Sequence, residues 1–283
     1  MALKTLNLYK GDPFVASSNL IDASVGRAVQ AVKIGVDVQQ TAAAIVPDNV
    51  VADTLNPVEV RLDGSPIISI RGSDLIALNL MAFGETPYVF RSAAVISNRS
   101  RVYGMNLHLN QPAREKGKLQ YKFNYAAGAN CKLQRLFATE LGTDEAPAGG
   151  YYHMVEIPHT LPAATGYGMK WSFAMPGDLI GILLWNTTIM AAAADTQSIL
   201  EIKLFVDGTE QIYRTAGELY EDGEIGRDNP TDAAVTTAKW LDNYQFLNLM
   251  EKPLPKASKV EWSLNAGVAS DVVRLIPVYQ VSA

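Results

Sequence analysis

Two of the chain's three histidines, His153 and His159, flank Glu156. Imidazoles with a carboxylate are the usual donors of a zinc site, so this is the first place to look for chemistry. On a strand the two imidazoles share a face while Glu156 points to the other. At 3.3 Å per residue the histidines stand ~20 Å apart, far beyond the reach of one ion. They read as solvated or turn histidines.

The acidic run Glu218, Glu221, Asp222, Glu224, Asp228, Asp232 offers oxygen ligands for calcium, but it lacks the ordered spacing of an EF-hand loop. It reads as a solvated acidic loop. Cys131 is the single cysteine and reads as a small buried hydrophobe, with no internal disulfide available. There is no Gly-x-x-x-x-Gly-Lys phosphate loop and no Gly-x-Gly-x-x-Gly. His-Glu-x-x-His and Gly-x-Ser-x-Gly are missing too. No catalytic residue, metal site or cofactor is therefore expected, and the chain is not read as an enzyme.

The charge balance narrows the partners. Net charge is −5 and no Lys/Arg run occurs, so direct nucleic-acid binding is not expected. Met1 to Asn19 lacks the apolar core of a signal peptide, which fits manufacture in a cytoplasm. The sequons at Asn98 and Asn186 are then accidental. The most apolar stretch, between Asp178 and Asp195, is too short for a membrane span and reads as a buried strand followed by a loop. Trp171, Trp185 and Trp262 lie in strand-like apolar runs and are assigned to the core; Trp240 lies on a helix, as core or contact.

What positions these residues is a duplication. Asp63-Gly64 recurs as Asp207-Gly208, each followed eleven residues after the Gly by a leucine, Leu75 and Leu219. Ala93-Ala-Val95 recurs as Ala233-Ala-Val235, Asn106-Leu107 as Asn248-Leu249, and Pro112 as Pro253. Lys118 to Asn124 reads against Lys259 to Asn265, Gly128 against Gly267, and Arg135-Leu136 against Arg274-Leu275. Every offset lies between 139 and 144, and the order never breaks. A period this long is a whole domain and not a solenoid repeat.

The local patterns repeat as well. Apolar residues at 32, 34, 36 and 38 alternate as on a half-buried strand. Val58 to Leu62, the turn Asp63-Gly64 and Ile67 to Ile70 form a predicted hairpin, matched by Leu200 to Val206, Asp207-Gly208 and Gln211 to Tyr213. A helix is expected after each hairpin: Asp74 to Phe83, capped by Ser73 and ended by Gly84, and then Glu218 to Gly223. Another is expected from Thr231 past Trp240, with a shorter counterpart near Ala93. Each copy closes with two strands around a small turn, at Gly128 and at Gly267. Tyr121, Phe123 and Tyr125 share one face, as do Val260, Trp262 and Leu264.

The expected fold is all-β: two tandem eight-stranded antiparallel jelly rolls with short helices in the connections. The divisions are an N-terminal arm over 1–26, a first jelly roll over 27–142, a linker over 143–150 and a second jelly roll over 151–283. Asp63, Gly64, Asp207, Gly208, Gly128 and Gly267 are the repeat-equivalent turn positions.

Duplicated β-domains in so short a chain, each with a strand–Asp-Gly–strand hairpin and then a short helix, resemble the double jelly-roll viral major capsid proteins. The likeness is to compact members such as the corticovirus coat protein, within the adenovirus and tectivirus lineage. It rests mainly on Val58 to Ile70 and Leu200 to Tyr213. The resemblance implies a homotrimer with six barrels, a pseudo-hexagonal brick that tiles an icosahedral shell, often around an internal membrane that the N-terminal arm contacts. It implies contacts with neighbouring capsid trimers and with minor capsid or vertex proteins, and a place in the virion after assembly in the host cytoplasm. The short loops argue against a decorated outer tower. The competing readings are a carbohydrate-binding or carbohydrate-active double jelly roll, which needs two carboxylates beside an aromatic platform, and a virion spike or tail fitting.

Overall fold

The computed structural model describes residues 2–10, 18–22, 28–40, 48–86, 88–91, 100–112, 118–125, 131–143, 150–189, 197–222, 240–257 and 259–282. The first half holds β1 (Ala2–Lys10), β2 (Ser18–Asp22), β3 (Ala28–Gln40), α1 (Asp48–Ala52), β4 (Leu55–Leu62), β5 (Ser65–Ile70), α2 (Gly72–Met81), β6 (Tyr88–Arg91), β7 (Ser100–Gln111), β8 (Leu119–Tyr125) and β9 (Cys131–Thr143). The second holds β10 (Tyr151–Val155), β11 (Ile157–Thr160), β12 (Gly166–Tyr167), β13 (Trp171–Phe173), β14 (Asp178–Asn186), β15 (Ile199–Val206), β16 (Thr209–Thr215), α3 (Ala216–Asp222), a 3-10 turn at Trp240–Asn243, β17 (Tyr244–Asn248), β18 (Val260–Ala266) and β19 (Val272–Val281).

Among the described residues the strands form three sheets. One runs β1-β9-β3-β7-β6. The second runs β17-β14-β19-β10-β5-β4-β8-β2, with β11 also on β19. The third runs β12-β18-β15-β16, with β13 also on β18. The duplication is visible in this order. In the first half β1-β9-β3-β7 faces β2-β8-β4-β5, and in the second β10-β19-β14-β17 faces β12-β18-β15-β16. Position by position the wiring is the same, and it is that of a jelly roll. The fold is all-β with short helices in the connections.

The hairpins show why the sequence folds this way locally. Asp63 and Gly64 have φ of 50° and 86°, and Asp207 and Gly208 have φ of 48° and 83°. Two consecutive positive φ values define the turn whose twist matches antiparallel strands, and Gly accepts the second without a Cβ penalty. The amide of Asp63 donates to the Lys118 carbonyl at 2.8 Å, and that of Asp207 to the Lys259 carbonyl at 3.0 Å. Each turn is thus tied to the same neighbouring strand by the same bond. The Val58–Ile70 and Leu204–Ile212 pairs fix the registers.

Alternating faces make the cores. Val32, Ile34, Val36 and Val38 of β3 meet Val58, Val60, Tyr121 and Phe123 in one buried cluster. Leu204, Trp262 and Leu264 meet Ile182, Leu184 and Leu275 in another. The first cluster does not stop at the first roll. It continues over α2, all of whose residues are buried, onto Leu183, Tyr244, Phe246, Ile276 and Val278 of the second half. So β14 is covered on both faces, with Leu183 in one core and Ile182 and Leu184 in the other. That double burial explains the unbroken apolar run Leu179 to Trp185.

Several expectations need correction. Within the stretch 1–26, expected as an arm, residues 2–10 and 18–22 are strands: β1 pairs with β9 from Ala2↔Gly142 to Lys10↔Arg135, and β2 pairs with β8. A bulge between Asn7 and Tyr9 breaks the period-two pattern, which is why the sequence signal is weak there. Strands β1 and β2 thus lie in the sheets of the first half, and β9 runs to Thr143, the first residue of the expected linker. Helix α2 starts at Gly72 with Arg71 at its cap, not Ser73. The apolar stretch is a buried strand, as expected, as far as Asn186, whose side chain is fully buried and bonded to Gln245 at 2.9 Å. Of the expected Thr231 helix only Trp240–Asn243 is described, as 3-10; its counterpart near Ala93, the remaining acidic loop (Glu224, Asp228, Asp232) and Gly128 lie outside the described residues.

Candidate functional site

Among the described residues, a concentrated group of charged side chains lies where the two rolls meet. There β5 of the first roll pairs in parallel with β10 of the second, Ile68 against Met154 and Ser69 against Val155. The strand then breaks at Glu156, whose amide donates to the Ser69 carbonyl at 3.0 Å, and resumes as β11 along β19. Helix α2 follows β5 directly and is pressed onto the second roll. Gly72 is required at its start, because an added Cβ would overlap the Ala52 carbonyl.

Asp74 sits in the first turn of α2 and is 0% exposed. Its Oδ1 accepts from Arg274 Nη2 at 2.7 Å and from the Tyr244 hydroxyl at 2.7 Å, while its Oδ2 takes the Arg71 amide at 3.4 Å and closes the helix cap. Arg71 forms a two-pronged pair with Glu156, at 3.0 and 3.1 Å. Arg274 Nε lies 3.8 Å from the same carboxylate, and its guanidinium covers the Trp185 ring at 4.1 Å. Asp53 accepts the Ser73 amide at 3.0 Å.

Burial sets the electrostatics. It pushes the Asp53 carboxyl up to about 6, against the pull of its bond from Ser73. Burial, joined by the Asp74 charge, raises Glu156 despite its arginines. Burial and Asp74 likewise raise Tyr244, so its hydroxyl keeps its proton and donates it. For Arg274 burial works the other way, but Asp74, Tyr244 and Glu156 outweigh it and hold the cation. These carboxylates and guanidiniums act as a clamp between the rolls: Asp74 with Arg274 and Tyr244, and Arg71 with Glu156, each join a residue of the first half to one of the second.

Of the residues singled out in the sequence, Glu156 belongs to this clamp and its flanking histidines do not. His153 lies in β10, edge-on to Tyr279, and His159 stacks on Trp171 at 3.8 Å. No group of three metal-ligating side chains occurs among the described residues. Trp262 and Trp240 are buried, and Trp185 and Trp171 half-buried. Gly267 lies against Gln197, where a Cβ would overlap the carbonyl oxygen. Arg71, Asp53, Asp74, Tyr244 and Arg274 were not identified from sequence. The repeated Arg135 and Arg274 were the one available signal.

Two outer faces are also built. On the third sheet, Glu201 accepts from the hydroxyls of Tyr167 and Tyr213 and from Asn265, and these bonds, Tyr167 first, hold its carboxyl below the usual range. Lys203 lies over both tyrosine rings, at 4.7 and 5.2 Å, and pairs with Glu210. This face has the carboxylates and aromatics that sugar binding would need, but these groups are bonded to one another. On the first sheet, Phe137 of β9 is 41% exposed and lies across Gly35 of β3, where a Cβ would collide with its ring.

No family model matches the chain, and no curated protein matches it in sequence. Solved structures do match in fold. The STIV MCP superposes with a TM-score of 0.71 at 12% identity, over 99% of this chain and 97% of that one. The major capsid protein P2 from bacteriophage PM2 superposes with a TM-score of 0.59 at 12% identity, over 100% and 98%. A PBCV-1 virus capsid chain gives 0.59 at 8% identity, over 98% and 93%. Both rolls and the junction between them are covered in each. The chain has the double jelly-roll fold of viral major capsid proteins.

Proposed function

We propose that the chain is a viral major capsid protein. Three copies form a pseudo-hexagonal trimer, and trimers tile an icosahedral shell, around an internal membrane in the manner this fold suggests. The protein then resides in the virion after assembly in the host cytoplasm, and works by packing and not by catalysis. Its partners are other copies of itself, neighbouring trimers and minor capsid or vertex proteins. We assign two domains, one jelly roll on each side of a boundary at 143–150, with Asp63-Gly64 and Asp207-Gly208 as equivalent turns and Gly128 and Gly267 as their counterparts further on.

The observation that carries this reading is the near-complete mutual coverage with the STIV MCP, 99% and 97%. The physical logic agrees. A fused pair of like rolls lets three chains imitate six-fold symmetry, and closed rings require repeating head-to-tail contacts. The clamp at Asp74, Arg274, Glu156 and Arg71 supports it further, because a tile must hold its two rolls at a fixed angle. Light scattering on the purified protein is the test. A particle of three times the 30.7 kDa chain mass is expected; a monomer at high concentration overturns the proposal.

A further inference from the structure

We infer that neighbouring copies join by repeating, between chains, the seam found within one chain: β16 of one copy pairs in parallel with β1 of the next, and Glu218 meets Arg135. This rests on the trimer proposed above. A ring of six similar rolls made from three chains has six contacts. Three are the internal seam, and near-equivalence requires the other three to resemble it.

The internal seam uses one end of the first roll, β5 and α2, and one side of the second, the edge strand β10 with the outer face of β19 and β14. Their counterparts are β16 and α3 on one side, and β1 with the outer face of β9 and β3 on the other. These counterparts are open: β16 ends its sheet and β1 ends its own, with no strand beyond either among the described residues. Open edges of this kind are templates for pairing with another chain.

The chemistry repeats too. Asp74 lies 144 residues before Glu218, the same offset as Asp63 to Asp207. Glu218 takes the Thr215 amide at 2.7 Å, as Asp74 takes the Arg71 amide, so the two acids hold one position in the first turn of their helices. Asp74 is buried against Arg274, whereas Glu218 is exposed. The arginine that corresponds to Arg274 is Arg135, opposite Asp37 across β3 as Arg274 is opposite Trp185 across β14. Position 135 of β9 thus carries an arginine in the register of Arg274, the type of residue that an exposed acid at 218 calls for across a second seam. Phe137 corresponds in register to Ile276: Ile276 is fully buried in the seam, and Phe137 is 41% exposed on the matching face.

Register follows. Met154 stands opposite Val278, and Thr5 opposite Thr139, 139 residues earlier. Met154 and Val155 therefore correspond to Thr5 and Leu6, just as Ile68 and Ser69 correspond to Ile212 and Tyr213. The inferred pairs are Ile212 with Thr5 and Tyr213 with Leu6.

Leu6→Cys with Tyr213→Cys, in a Cys131→Ser background, tests this. Paired strands place Cα atoms about 5 Å apart, within disulfide reach. Mild oxidation is expected to give a covalent trimer as the main species on a non-reducing gel. A trimer by light scattering that gives no intermolecular disulfide overturns the inference and leaves the capsid proposal standing; a monomer overturns both. In the otherwise native chain, Glu218→Arg and Arg135→Glu should each weaken association at least ~10-fold, about the loss of one charge-assisted contact. Combining them should restore it, and two losses that simply add would overturn the pairing.

Discussion

Replacing Arg274 with methionine removes the cation from Asp74 while keeping a side chain of similar length over Trp185. Asp74 is 0% exposed and Arg274 6%, so the pair is shielded from water on both sides. Breaking one partner of such a pair costs about 3–5 kcal/mol, because a charge is left buried without compensation. Exposed pairs such as Lys118–Asp22, at 61% and 64% side-chain exposure, are screened by water and contribute little. For a chain of this size the Arg274→Met loss corresponds to a fall in Tm on the order of 10 °C. Adding Asp74→Asn should recover most of it, since neither charge then remains. Urea unfolding followed by tryptophan fluorescence measures both variants against the parent. An Arg274→Met penalty under about 1 kcal/mol would refute the clamp.

Asp53→Asn keeps the acceptor for the Ser73 amide and removes the titrating group. The folded carboxyl titrates at about 6 against an ordinary 3.8, so the native state binds its proton more tightly than the unfolded one. Its stabilising effect is complete below about pH 4 and is lost as pH rises through 6. The variant should thus exceed the parent by up to ~3 kcal/mol at pH 8 and match it near pH 4, in denaturant melts across that range. Gly267→Ala would drive a Cβ into the Gln197 carbonyl, and should cost about 1–3 kcal/mol in the same melts. Gly208→Val puts a β-branched residue at φ 83° and should cost about 1–2 kcal/mol, although nothing lies near its Cβ. Asn186→Asp would bury a charge beside Gln245, and thermal melts should show a loss of more than ~2 kcal/mol at pH 7 that shrinks as the pH falls below 5.

How much of this could be read from sequence depends on the range of the interaction. The hairpins at Asp63-Gly64 and Asp207-Gly208 were legible because two residues determine the turn and their neighbours alternate. The buried face of Tyr121, Phe123 and Tyr125 was legible for the same local reason. Strand β1 was not, because its bulge falls within nine residues and it borrows its partner from β9, over a hundred residues away. Helix α2 was visible as a helix but not as a buried one: its cap was misplaced on Ser73, whose amide instead serves Asp53. The clamp joins Asp74 to a residue 200 positions away, and no spacing rule spans that distance. Only the duplication carried information about it, through the arginine found at both 135 and 274.

The parallel junction of β5 with β10 has a consequence for how the molecule can come apart. Its halves are held by shared backbone ladder, by α2 sunk into the second roll and by ion pairs. A protease cut between 143 and 150 would then yield two fragments that elute together under native conditions and separate only in denaturant. The polypeptide link matters for making both halves in equal number, and cohesion comes from the surfaces they share.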